Sequence, residues 1–332
     1  MPRHERTFAA KGSSFYICLD TSMENDYVKV LMDKLVDQTE QLEQRMSRFR
    51  VDSELVQLNH HLMMSVKVSS TIREVLELAS IFNELSSGAF DARVVPGLEG
   101  IGYMGAHPDP QPVDNREVAQ PQSGVEDGTF LPLFDVVAEP NQIRLYAPVD
   151  FGGIGKGYTA DRLADLIEAS VDPALRSGYI VDAGGDIVIS GQQETGEGFA
   201  IGIEDPFGSK GELSAALQLP ALQERIAICT SSLKRRSWEH GGEKVHHILD
   251  PRRQAPARTP LKAVTAVGGS AAYTEVFTKC TMIAEGAESY LWRGIPLPYV
   301  AIDDGLTLHY TADIAPLLSW ISVKYQDARV IE

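Results

Sequence analysis

One lysine, Lys156, stands among four glycines in Asp150-Phe151-Gly152-Gly153-Ile154-Gly155-Lys156-Gly157. Glycine lets backbone amides approach a ligand closely, and Ala160, Leu163, Ala164 and Ile167 then recur at helical spacing, so the segment from Val149 reads as strand, tight turn and helix. A turn feeding a helix N-terminus offers unpaired N–H groups and the positive end of a dipole, which suits an anion such as a pyrophosphate. Lys156 adds a full charge. The spacing is neither the GxxxxGK(S/T) phosphate loop nor GxGxxG, because only Ile154 and Gly155 separate Gly153 from Lys156. Taken alone, the stretch is equally a glycine-rich turn that lets a helix pack on a strand.

Further along, three hydroxyls, Thr230-Ser231-Ser232, precede a basic run, Lys234-Arg235-Arg236, which is either a solvated loop or a phosphate contact. His246 and His247 are adjacent on an extended segment, so they point to opposite faces and do not share a metal. One is expected in solvent and the other inward, where it can bond a ligand or move a proton. Glu275 and Lys279 are four apart on one helix face, the spacing of a surface ion pair. Asp91, framed by Phe90 and Ala92 just past a helix end, is first of all a turn residue.

The elements that must hold these residues follow from periodicity. Phe15, Ile17 and Leu19 alternate as a first strand after a Gly-Ser turn, and Val28, Leu31, Met32, Leu35, Leu42 and Met46 form the inner stripe of a helix over 27–50. Asp52 or Ser53 is placed to cap a short helix, and a second amphipathic helix runs over 70–85. Phe134–Val137 and Ile143–Tyr146 read as paired strands, and Tyr179–Ala183 and Asp186–Ile189 as a hairpin turning at Gly184-Gly185. Phe199–Ile203 is expected to continue that sheet, and Ile226–Cys229 to lead into a polar tip at the hydroxyls. A strand over 262–267 precedes a helix over 271–286. Residues from about 104 to 130 are rich in Pro, Gly, Asp and Gln without periodicity and read as a flexible polar insertion in one domain spanning 1–332.

With 30 basic and 46 acidic residues the 332-residue chain carries a net charge of −16, which argues against nucleic acid or an anionic membrane as partner. Cys18, Cys229 and Cys280 have neither disulfide nor metal spacing and read as buried thiols in a reducing compartment. Met1–Arg6 lacks an apolar signal core and no run reaches membrane-spanning length, so a cytoplasmic protein without membrane insertion is expected.

The ordered set of these stretches resembles the ApbE-type FAD:protein FMN transferases. The likeness is carried by SRFRVDSELVQLN (47–59), GAFDARVVPGL (88–98), DFGGIGKGYTADR (150–162), VDAGGDIVISG (181–191), GIEDP (202–206), CTSSLKRRSW (229–238) and HHILDP (246–251). It implies an α+β, T-fold-related arrangement of mixed sheets and packed helices with FAD in a cleft. It also implies transfer of FMN from FAD to a Ser or Thr hydroxyl of an acceptor flavoprotein, with release of AMP. By position, Phe49 (for a tyrosine), Phe90, Asp91, Ala92, Asp150, Lys156 and His247 become ligand contacts, with Asp91 and Asp150 bonding the flavin and Lys156 the phosphates. Gly153, through its main-chain oxygen, and Glu275 become Mg2+ ligands. The chain departs from the pattern at Arg93, where a threonine is usual, and at Lys11, where a methionine is common. At the metal, Glu275 replaces an aspartate and Lys279 a threonine; an ammonium cannot ligate Mg2+ but can itself supply positive charge. Lys156, His247 and Lys279 are then the catalytic candidates, and no general base stands out. The competing reading is a degenerate FAD-binding protein or slow FAD pyrophosphatase; a nicotinamide-dependent dehydrogenase is disfavoured because no dinucleotide fingerprint follows a strand.

Overall fold

The structure, a computed structural model, describes residues 1–104, 125–126, 129–130, 132–137, 139, 141–193, 195–284, 292–325 and 327–331. The insertion expected at about 104–130 therefore lies almost wholly outside the described residues, within which two short strands, Val125–Glu126 and Thr129–Phe130, pair.

The architecture is mixed α+β. Nine described strands form one sheet in the order Arg3–Ala10, Ser13–Thr21, Arg176–Ala183, Asp186–Gly191, Leu222–Ser232, Leu261–Gly268, Tyr299–Asp303, Leu308–Thr311 and Arg329–Ile331. Neighbours run antiparallel except the last pair. The described helices are α1 (Asn25–Met46), α2 (Glu54–Asn59), α3 (Ser70–Leu85), α4 (Val95–Gly100), α5 (Gly155–Ser170) and α6 (Ala271–Ala284).

Strand alternation divides the core between two faces of the sheet. Phe15, Ile17, Leu19, Val181, Ala227 and Cys229 pack against Leu35 of α1 and Ala160 and Ala164 of α5. Ile228, one residue off that register, faces the other way with Ile189 and Val300, onto Ile203 and Leu217. A third cluster joins α1, α2, α3 and α6 through Leu42, Leu55, Leu76, Phe82 and Val276, and it reaches Phe90 and Phe151 at the glycine turn. Helix α3 begins where Ser69 accepts the Ile72 N–H at 3.2 Å, and its apolar positions Ile72, Val75, Leu76, Ala79 and Phe82 are all buried. Apart from Ala79, each such side chain stabilises by roughly 1.5–3 kcal/mol, so packing rather than propensity holds the helix.

Several sequence expectations are corrected. The strand at Phe15–Leu19 is the second, not the first: Arg3–Ala10 pairs with it across Lys11-Gly12, both at positive φ. Its polar residues give no alternation because it is the sheet edge and takes its register from its partner. Ala200–Glu204 leaves the main sheet and pairs instead with Leu213–Gln218, which pairs with Leu318–Ile321. Val149–Phe151 is not a strand. The Asn59 side chain holds both the N–H and the C=O of Val149, at 2.9 and 2.8 Å, and the Asp150 N–H donates to the Ala92 carbonyl at 2.8 Å, so no ladder is available to it. The three cysteines are buried and free, as their spacing predicted. Among the described residues no helix is long and apolar enough to cross a membrane.

Candidate functional site

Two adjoining lobes, of about 280 and 100 Å3, open beside the glycine turn; Phe49, Tyr103, Asp150, Gly152 and Arg236 line both. The wall between α1 and α2 is pinned by serine: Ser53 caps α2 by accepting the Val56 N–H at 3.0 Å and donates its hydroxyl to the Ser47 carbonyl at 2.6 Å. That folds Arg48 back onto Asp150 (Nε to Oδ2, 2.8 Å) and onto the Tyr103 carbonyl (3.0 Å). The guanidinium also lies over the Phe49 ring at 4.7 Å, and Tyr103 stacks on Trp238 at 5.3 Å. The floor is Gly152, Gly153 and the first turn of α5.

Behind that floor lies a cluster of four charges. Lys156 Nζ donates to Asp186 Oδ2 and lies 3.7 Å from Glu275 Oε1, to which Lys279 Nζ donates at 2.9 Å. The two carboxylates are 1% and 0% exposed. Burial opposes charge on Lys156, yet Asp186 and Glu275 outweigh it and hold the ammonium above the usual lysine range. Burial likewise opposes ionisation of Glu275, but Lys279, Lys156 and the Gly157 N–H together keep it below the usual carboxylate range. Asp186 is pushed up by burial despite Lys156, and its Oδ1 is buried without a hydrogen-bond partner.

Helices α5 and α6 cap each other. Glu275 Oε2 accepts the Gly157 N–H at 2.8 Å, while Asp161 accepts the N–H groups of Ala271 and Ala272 at 2.9 and 3.0 Å. Each helix thus satisfies orphan donors at the other's N-terminus with a carboxylate, an arrangement the dipoles favour. Their approach is so close that a Cβ on Gly157 would lie 2.4 Å from the Ala271 carbonyl oxygen. This glycine serves helix packing and not a ligand.

The sequence pattern of the ApbE family matches residues 17–293. The chain belongs to the ApbE family. It is 26% identical over 306 residues to the FAD:protein FMN transferase of Vibrio cholerae, covering 88% of this chain and 85% of that one. It is 30% identical over 264 residues to the protein of the same name from Treponema pallidum, covering 72% and 67%. The fold is that of the solved ApbE protein of Thermotoga maritima, with a TM-score of 0.79 at 22% identity over 95% of this chain and 99% of that one. The flavin transferase ApbE of Vibrio cholerae superposes with a TM-score of 0.71 at 22% identity, over 96% and 99%.

The ApbE-like positions expected at the site fall as follows. Phe90, Asp91, Gly153, His247 and Lys279 line the smaller lobe, Lys156 the larger, and Phe49 and Asp150 both. Ala92 lines neither; its carbonyl instead fixes the Asp150 backbone. Both oxygens of Asp150 are engaged, by Arg48 and by the Gly152 N–H at 2.6 Å. Arg93, standing where a threonine is usual, holds Asp91 through Nε and Nη2 at 2.9 and 2.7 Å. The histidine expectation changes too, since His246 is half-buried and its Nδ1 is closed off from solvent. His247 Nδ1 lies 3.3 Å from the Arg236 carbonyl, which can only accept, so Nε2 is left as the ring's acceptor. Burial above all, with Arg236 adding, pushes the His247 ring down to about 3, so it is neutral at physiological pH.

The hydroxyl and basic cluster is dispersed by the fold. Leu222–Ser232 is a strand throughout; Ser231 bonds Thr278 at 2.8 Å and Thr230 bonds Thr265 at 2.9 Å. Lys234 and Arg235 turn to Glu204, at 3.0 and 2.7 Å, and Arg236 alone of the basic run lines the cleft. Nor is Glu275–Lys279 a surface pair, since Glu275 is wholly buried. Sequence reasoning missed Arg48 and Tyr103 in the cleft and Asp186 behind its floor; Arg236 was named only within the basic run, and Lys11 only as a departure from the ApbE pattern. The signal for Asp186 was present, an acid placed directly after two glycines that both take positive φ. Lys11 lines the larger lobe from the hairpin tip, and burial lowers its ammonium to about 8.

The magnesium ion that the ApbE likeness implies does not fit these residues. Mg2+ demands several oxygens in near-octahedral order. Both oxygens of Glu275 are already taken, one of them by an ammonium, and Asp186 offers a single open oxygen. Among the described residues no three His, Cys, Asp or Glu side chains converge as ligands.

Proposed function

We propose that this chain transfers the FMN part of FAD to a Ser or Thr hydroxyl of an acceptor flavoprotein. The hydroxyl oxygen bonds to the phosphorus nearer riboflavin, the bond from that phosphorus to the bridging oxygen breaks, AMP leaves, and the hydroxyl proton is lost to solvent. The observation that carries this reading is the two-lobed cleft whose lobes meet over the α5 N-terminus beside Lys156, in a chain of net charge −16. Against that acidic background, five cations, Lys11, Arg48, Arg50, Lys156 and Arg236, line the larger lobe with two acids, Glu43 and Asp150. Such a concentration of cations attracts a dianionic pyrophosphate, and phosphoryl transfer asks of a protein mainly charge neutralisation and in-line positioning.

In this reading Lys156, in the first turn of α5, holds the phosphates, while Phe49, Phe90 and the Asp91 and Asp150 segments enclose the flavin. His247, neutral and with Nε2 open, positions the ligand by hydrogen bonding; a ring held near 3 is too weak a base to take the hydroxyl proton at neutral pH. The deciding experiment incubates the protein with FAD and an acceptor domain carrying an exposed Ser or Thr, then looks for flavin fluorescence on a denaturing gel. Absence of a covalent fluorescent band sinks the transferase reading for that acceptor. A second reading, an FAD-binding protein without transfer, is favoured by the Glu275–Lys279 pair and predicts FAD uptake with no band.

A further inference from the structure

Resting on the transferase reading, we infer that the Lys279 ammonium is this chain's built-in replacement for a divalent cation, so that the flavin dinucleotide is bound without metal. The side chain runs past both residues expected as metal ligands. Its Cδ lies 3.7 Å from where a Gly153 Cβ would stand, and its Nζ is 2.9 Å from Glu275 Oε1 and 3.5 Å from the Glu275 carbonyl. Lys279 lines the smaller lobe, and Lys156, which reaches the same Glu275 oxygen at 3.7 Å, lines the larger. The two ammonium groups therefore straddle the junction of the lobes, where the reading above puts the pyrophosphate.

What favours the same conclusion is where the charges stand and not their sum. Asp186 and Glu275 carry two negative charges, and Lys156 and Lys279 two positive ones, so the buried cluster is neutral as built. A divalent ion added to it would compete with an ammonium already bonded to Glu275 and would bring like charge into a site nearly closed to solvent. A dianionic pyrophosphate entering from the cleft instead meets two fixed cations whose counterions lie behind them. Both lysines keep their positive charge through the reaction, and neither gains nor loses a proton in it.

The inference is tested by titrating FAD into the intact protein by calorimetry, once with chelator and once with millimolar Mg2+. The expected result is a dissociation constant that agrees within about threefold between the two buffers, a difference well under the tenfold that 1.4 kcal/mol represents. Tightening by roughly tenfold or more on adding Mg2+ overturns the inference while leaving the transferase reading standing. The variant Lys279→Thr is expected to bind FAD at least about tenfold more weakly in chelator and to recover with Mg2+, because a hydroxyl and open space replace the ammonium. Binding by the folded variant that is unchanged in chelator also overturns it. Should Lys279→Thr fail to fold, the wild-type titration in two buffers decides by itself. No heat in either buffer removes the transferase reading and this inference with it.

Discussion

Lys156 and Lys234 each stand beside a run of small or hydroxyl-bearing residues, and in sequence either could cradle a phosphate. Lys156 meets carboxylates that are 1% and 0% exposed, whereas Lys234 meets Glu204, which is 30% exposed, and the carbonyls of Asp205 and Ser209. Arg235 bonds Glu204 as well, so that carboxylate keeps a partner if Lys234 is lost. Asp186 and Glu275 have no such reserve of solvent. The contrast teaches that residue type announces an anion site less reliably than the burial of the opposing charges, which decides how much a lost cation costs.

The sharpest way to break the contrast is Lys156→Ala. It leaves Asp186 buried and unpaired, and removing one partner from a buried ion pair typically destabilises by about 3–5 kcal/mol. Thermal melting should show a large drop, and FMN transfer by whatever remains folded should fall by on the order of 100-fold or more. A melting temperature unmoved by the change would mean the cluster is not the buried unit described here. Gly157→Ala tests the helix contact behind Lys156. Its Cβ would meet the Ala271 oxygen at 2.4 Å, and forced overpacking of this kind costs about 1–3 kcal/mol, measurable by denaturant titration.

A smaller effect depends on pH. Burial lowers the His247 ring from 6.5 to about 3 in the folded chain, so the unfolded chain takes up a proton that the folded one refuses. The associated stability is complete above about 6.5 and declines as pH falls toward 3, by at most ~1.4 kcal/mol per pH unit. His247→Gln should flatten part of the decline; His246, also depressed by burial, and carboxylates held low by their partners, Asp205 and Glu275 among them, contribute to the rest. An acid profile unchanged by His247→Gln would contradict a buried neutral ring. The least change is expected from Lys234→Ala, within about 1 kcal/mol of the parent and with FAD affinity preserved. A marked loss of FAD binding in that variant would restore the surface cluster as a phosphate contact.

How much of this was readable beforehand varies by element. Helix α3 was legible to the residue because Ile72, Val75, Leu76, Ala79 and Phe82 keep one face and Ser69 stops the chain before it. The hairpin at Gly184-Gly185 was legible because both glycines take positive φ, which other residues resist. The edge strand Arg3–Ala10 was not, since two of its half-buried positions, His4 and Arg6, are as polar as the exposed residues they alternate with. Nor was the fate of Thr230 and Ser231, whose hydroxyls are matched by Thr265 on the neighbouring strand and Thr278 on α6.

The α+β class, the helix and hairpin boundaries nearest strong periodicity, the acidic balance that makes a cationic cleft conspicuous, and the family are all written in the order of residues. Those properties are local or additive, and short windows of residues carry them. Folding in three dimensions was needed to put Glu275 in the interior, to bond Lys279 to it, to set Lys156 against Asp186 thirty positions away, and to make Gly157 a helix contact. Charges of this kind are assigned by who is desolvated beside whom, and that is settled when distant segments close on one another.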